Sequence, residues 1–264
     1  MIRVISGAIL LVGVIAALWF LQPIFLLGIT VIVAVLAFGE YAGIAAKAGA
    51  HVSRPAGSIA VALVCVASAV PGMPVDVAVA GATLGLSALA LSASATRLSS
   101  GGALQSAAIA AFAPIYIGLP LGLLAATRWM LGREAALLLI LTVAISDTFQ
   151  YYSGRAFGRH LLAPVISPKK TIEGAIGGFA GAALSLAVIG HWWLPQMGLP
   201  ARAVLGLAIA AVGIVGDLFE SMLKRSVDMK DASAAIPGHG GVLDRIDALL
   251  FAAPVYYIFV RYSF

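Results

Sequence analysis

Asp217, Ser221 and Lys224 stand at i, i+4 and i+7, so on a helix an acid, a hydroxyl and a cation share one stripe. Asp244 and Asp247, three apart, would likewise project from one helical face. If the connector between the two sets folds back, three carboxylates converge. Three hard oxygen donors without His or Cys partners suit Mg²⁺ better than zinc. The same acids could instead pair with Lys224, Arg225, Lys230 and Arg245 or cap helix ends, and spacing alone weighs the two readings evenly. Between the acids runs IPGHGG, from Ile236 to Gly241, whose glycines permit backbone geometries and close approaches barred to other residues. Bracketed by acids and bases, it looks more like a nucleotide or phosphate cradle than a plain turn. His239 within it is open to three roles: phosphate donor, proton shuttle or structural turn residue.

A second polar connector reads SDTFQYYSGRAFGRH from Ser146 and SPKKTIEG from Ser167. Either Pro168 or Thr171 could start the next helix. A helix N-terminus carrying Lys169 and Lys170 would attract a phosphate, although both lysines could equally touch lipid headgroups.

The elements that must position these residues are apolar. Of 264 residues, 62% are hydrophobic and 10% charged, against about 25% charged in an ordinary soluble domain. Water is therefore not the main solvent of this chain. Apolar runs near 4 to 21, 24 to 46, 56 to 70, 75 to 92, 103 to 126, 134 to 152, 172 to 193, 201 to 223 and 247 to 262 predict about nine transmembrane helices. The expected fold is an all-α, polytopic membrane bundle forming one domain over 1–264, with its catalytic half at about 140–264. The basic start at Arg3 is compatible with a signal peptide, but the run after it is long enough to span and reads as a retained first helix. Pro114 and Pro120 predict a kinked helix, and the small residues of GAIGGFAG from Gly174 predict close helix packing. Cys65 reads as a small apolar core residue.

With the first residue in the cytoplasm, alternating connectors place 12 Lys and Arg inside and only Arg128, Arg133, Arg202 and Arg261 outside. The positive-inside rule favours that orientation, which puts both long polar connectors on the cytoplasmic side. The net charge of +5 is scattered over short connectors rather than gathered into a basic stripe, so no nucleic-acid partner is expected.

The segment from Ser221 to Asp247, SMLKRSVDMKDASAAIPGHGGVLDRID, closely resembles the signature of phosphatidate cytidylyltransferases, also called CDP-diacylglycerol synthases. The upstream SDTFQYYSGRAFGRH and SPKKTIEGAIGG resemble the family's other polar connector, so the likeness is detailed over roughly the last 120 residues. The resemblance implies a homodimeric bacterial inner-membrane enzyme. Its active site would face the cytoplasm and make CDP-diacylglycerol and pyrophosphate from CTP and phosphatidate, with Mg²⁺ and a K⁺ ion beside it. Carried onto matching positions, Asp217, Asp244 and Asp247 become metal-site acids, and Ser221 and Lys224 essential polar groups beside them. Lys169, Lys170, Arg225, His239 and Arg245 are the candidates for substrate phosphates. Ala234-Ala235 and Gln150 depart from residues common in the family. The alternatives are a CTP-dependent transferase acting on another membrane lipid, and an ion-coupled transporter. A transporter would want substrate groups near the midplane and a repeat between halves.

Overall fold

A computed structural model describes residues 12–95, 102–233 and 240–263, with the side chains of 90–95 left aside. The expectations for Arg3, for the start of the first span, for Ala234-Ala235 and for His239 lie outside the described residues. The chain is built from helices because apolar segments in lipid must satisfy their own backbone N–H and C=O groups. In order these are α1 (helical over 12–20), α2 (Pro23–Lys47), α3 (Arg54–Ala69), α4 (Val75–Ala95), α5 (Ala103–Ala113), α6 (Leu119–Met130), α7 (Arg133–Phe157), α8 (Ile172–Trp193), α9 (Leu199–Arg225) and α10 (Leu243–Tyr262). A π-helical turn, Pro114–Gly118, joins α5 and α6 into one rod, so the described residues follow the nine expected runs closely. Pro114 has no N–H to give, and the helical ladder widens where it enters.

Among the described residues, five rods are long and apolar enough to cross a membrane: α2, α5 with α6, α7, α8 and α9. Helix α3 is short, with 16 residues, and Asp244, Arg245, Asp247 and Arg261 load α10 with charge.

One boundary needs correction: helix α7 does not stop near 152 but runs to Phe157, carrying the polar connector residues on its last turns. Within the all-α bundle, β1 (Leu161–Ala163) and β2 (Ser167–Thr171) form a short antiparallel hairpin, pairing Leu161 with Thr171 and Ala163 with Ser167. Pro168 therefore lies in a strand. Thr171 is the N-cap of α8, accepting a hydrogen bond from Gly174 N at 3.1 Å.

Helices α7 and α8 approach closely through the glycines of α8. A Cβ on Gly174 would stand 2.9 Å from Gln150 O, and one on Gly181 would stand 2.7 Å from Phe149 Cγ. The buried hydroxyls of Thr142 and Ser185 meet across this seam at 3.1 Å. Cys65 is fully buried in the main apolar core. At the opposite end of the bundle Arg128 Nε donates to Leu18 O at 3.0 Å, Arg133 lies 4.4 Å over the Trp19 ring, and Tyr256 donates to Ala135 O at 2.8 Å.

Candidate active site

A cavity of about 650 Å³ opens where the last turns of α7 and α9, the hairpin, and the first turns of α8 and α10 meet. Asp147 from α7, Asp217 from α9 and Asp247 from α10 all line it. Helices α9 and α10 can bring the last two together because Gly216 has no side chain: a Cβ there would stand 2.5 Å from Asp247 O. The three carboxylates repel one another, and Lys170 from β2 counters all of them, its Nζ lying 2.5 Å from Asp217 Oδ2. Ser221 Oγ donates to Asp217 Oδ1 at 3.4 Å, one turn along the same helix. Gln150 Nε2 donates to Asp147 Oδ1 at 3.3 Å, and Asp247 Oδ1 accepts from Ala248 N at 2.7 Å.

Beside this group sits a second, more enclosed one. Lys224 Nζ lies 2.5 Å from Glu220 Oε2 and 2.5 Å from Asp244 Oδ1, and the Glu220 side chain is fully buried. Asp244 Oδ2 accepts from Ala232 N at 2.9 Å and Gly241 N at 2.7 Å. Gly240 takes φ +79°, and a Cβ on it would stand 2.6 Å from that same oxygen. The glycine pair thus lets the backbone close onto a carboxylate, which is what the glycines of the connector are for.

The cavity gathers most of the residues expected from the sequence: Lys169, Lys170, Asp217, Lys224, Asp244, Arg245 and Asp247 line it together. Ser221 reaches it through Asp217. Arg225 stands apart, exposed on the last turn of α9 and donating to Met229 O at 3.1 Å. That contact employs it in closing a turn rather than at the cavity. Asp147, Arg155 and Asp231 also line the cavity without having been assigned a role, and Glu220 was missed altogether. Asp147 carried a usable signal, an acid at the aqueous end of an apolar run, but 70 residues separate it from Asp217.

Asp244 is brought to the cavity but is differently employed from Asp217 and Asp247, since both of its oxygens are already taken. Among the described residues no three Asp, Glu, His or Cys side chains stand close enough to hold a metal by themselves. Mg²⁺ is commonly held by one or two carboxylates together with substrate phosphates and waters, so it does not need three. The all-oxygen character of Asp147, Asp217 and Asp247 and their mutual repulsion fit it.

The Cytidylyltransferase family model matches residues 1–263 of the chain. The phosphatidate cytidylyltransferase of Thermotoga maritima is 42% identical over 132 residues, 48% of this chain and 49% of that protein. That of Pseudomonas aeruginosa is 41% identical over 136 residues, covering 51% and 50%. An uncharacterized Escherichia coli protein, YnbB, is 40% identical over 131 residues, covering 50% and 44%. The match thus spans about half the length of these curated relatives.

Proposed function

The chain belongs to the cytidylyltransferase family, and from that premise we propose that it transfers the cytidylyl group of CTP to phosphatidate, giving CDP-diacylglycerol and pyrophosphate. The observation that carries the proposal is the cavity at one end of the bundle, where Asp147, Asp217 and Asp247 face Lys169, Lys170 and Arg245. Relatives named for this activity align with half of the chain.

In this reaction a phosphate oxygen of phosphatidate bonds to the α-phosphorus of CTP, and the bond from that phosphorus to the bridging oxygen of pyrophosphate breaks in line. A phosphate monoester has a second pKa of about 6, so the nucleophile is already anionic at neutral pH and needs no strong protein base. The task left to the protein is to bring two anions together and to neutralise the leaving group. Lys170 and Arg245 are assigned to that neutralisation at the cavity wall, and Lys169 to steering the incoming phosphates. Asp217 and Asp247, with Asp147 beside them, would hold Mg²⁺, and Ser221 orients Asp217. When bound, Mg²⁺ supplies positive charge to the phosphates. Lys224 is assigned to the buried pair with Glu220 and Asp244, fixing α9 against α10. The acyl chains remain in lipid while the headgroup enters the cavity.

The charge asymmetry between connectors supports an inner-membrane orientation with this cavity towards the cytoplasm, where CTP is found. A homodimer is proposed on the family resemblance alone.

Purified protein in detergent, given CTP, phosphatidate and Mg²⁺ with and without K⁺, should form CDP-lipid and pyrophosphate, and EDTA should stop it. Folded protein that turns over no lipid phosphate would sink the proposal.

A further inference from the structure

Glu40 lies on the second-last turn of α2, in the half of the chain far from the signature segment. Its carboxylate crosses to the start of α10. Oε1 accepts from Val242 N at 2.9 Å and from Ser233 Oγ at 2.6 Å, and Oε2 accepts from Leu243 N at 2.7 Å. Val242 and Leu243 are the N-cap and first residue of α10, whose amides have no acceptor within the helix, and the N-cap side chain supplies none. A carboxylate from another helix therefore does what an N-cap side chain does elsewhere, and its charge also suits the positive end of the helix. Gly241 makes the approach possible: a Cβ on it would stand 2.7 Å from Glu40 Cδ. With Asp244 taking Gly241 N, the two acids accept from three consecutive amides immediately before and into the turn that carries Asp244 and Asp247.

We propose that Glu40 is a positioning residue, which by seating the Gly241–Leu243 amides on α2 sets the first turn of α10 and so the placement of Asp244 and Asp247. Its catalytic consequence rests on the function proposed above, whereas the anchoring itself does not. The isosteric Glu40→Gln replaces one acceptor oxygen with an NH₂ that meets a backbone N–H.

The test uses the full chain in detergent, with Glu40→Gln, Glu40→Ala and Glu40→Asp, after gel filtration shows each to be folded. Hydrogen exchange of the peptide covering 241–247 should quicken at least tenfold in Glu40→Gln and Glu40→Ala, while the middle of α8 is unchanged. In the turnover assay kcat should fall at least tenfold with KM for CTP altered less than threefold, and Glu40→Asp, which keeps the carboxylate, should recover part of both losses. Unchanged exchange would overturn the proposal whether or not kcat falls, and so would a kcat within twofold of wild type. If wild-type protein does not turn over CTP, the proposed function fails, and the exchange measurement still decides the anchoring.

Discussion

Asp244 and Asp247 are one helical turn apart, yet their surroundings assign them different work. Asp247 belongs with Asp217 and Asp147 around Lys170, whereas Asp244 is tied to Lys224 and two amides. Asp217→Asn and Asp247→Asn should therefore lower turnover by about 100-fold or more and raise the Mg²⁺ concentration needed, with thermal unfolding little changed. Asp244→Asn should lower the unfolding temperature as well, because it strips a buried cation of one partner. Lys224→Met leaves Glu220 and Asp244, 0% and 5% exposed, without their cation. It should cost about 3–5 kcal/mol in detergent unfolding, and adding Glu220→Gln should restore part of that. Helical spacing was enough to pick out Asp217, Ser221, Lys224, Asp244 and Asp247 from the sequence. It could not divide them, because whether a carboxylate faces a cation, an amide or a cavity depends on the neighbouring helices. Glu40 was illegible for the same reason, a single acid inside an apolar run whose partners are far along the chain, whereas Asp147 showed itself as an acid at the aqueous end of such a run but not which acids it joins.

Among the elements, the rods of the bundle were legible from apolar run length, since lipid admits little else. Their ends were not. The last turns of α7 carry Ser153, Gly154 and Arg155, which hydropathy reads as loop, but at an aqueous boundary a helix can continue with polar residues. The hairpin at 161–171 was hidden because its two strands are only three and five residues long. The contact of α7 with α8 is the seam that holds Asp147 opposite Lys170, and it depends on absent side chains. A Cβ on Gly177 would stand 2.5 Å from Ser153 Cβ and 3.0 Å from Phe149 O, whereas one on Gly43 meets nothing within 4 Å. Gly177→Leu should destabilise the protein by about 3 kcal/mol and abolish turnover by parting the two walls of the cavity. Gly43→Ala should leave both unchanged. Equal behaviour of the two variants in unfolding and turnover assays would show that the seam does not matter.

At the scale of the whole molecule, the two ends of the bundle differ. One gathers Lys169, Lys170, Lys224 and Arg245 with the acids; the other holds Arg128, Arg133 and Arg261 among Trp19 and Tyr257. The proposed orientation predicts that Lys169→Cys is labelled by a membrane-impermeant thiol reagent only from the cytoplasmic face and Arg261→Cys only from the opposite face. Cys65, fully buried, should give no background. The reverse pattern would invert the bundle and put the cavity on the wrong side for cytosolic CTP. The claim on which the rest depends is that a cytidylyl group, rather than a terminal phosphoryl group, passes to the lipid. It is tested most directly by giving wild-type protein phosphatidate with CTP labelled at either the α- or the γ-phosphate and following the label into the lipid extract. Label from the α-phosphate should enter the lipid while label from the γ-phosphate leaves in pyrophosphate; γ-label in the lipid, or no α-label there, would contradict the account.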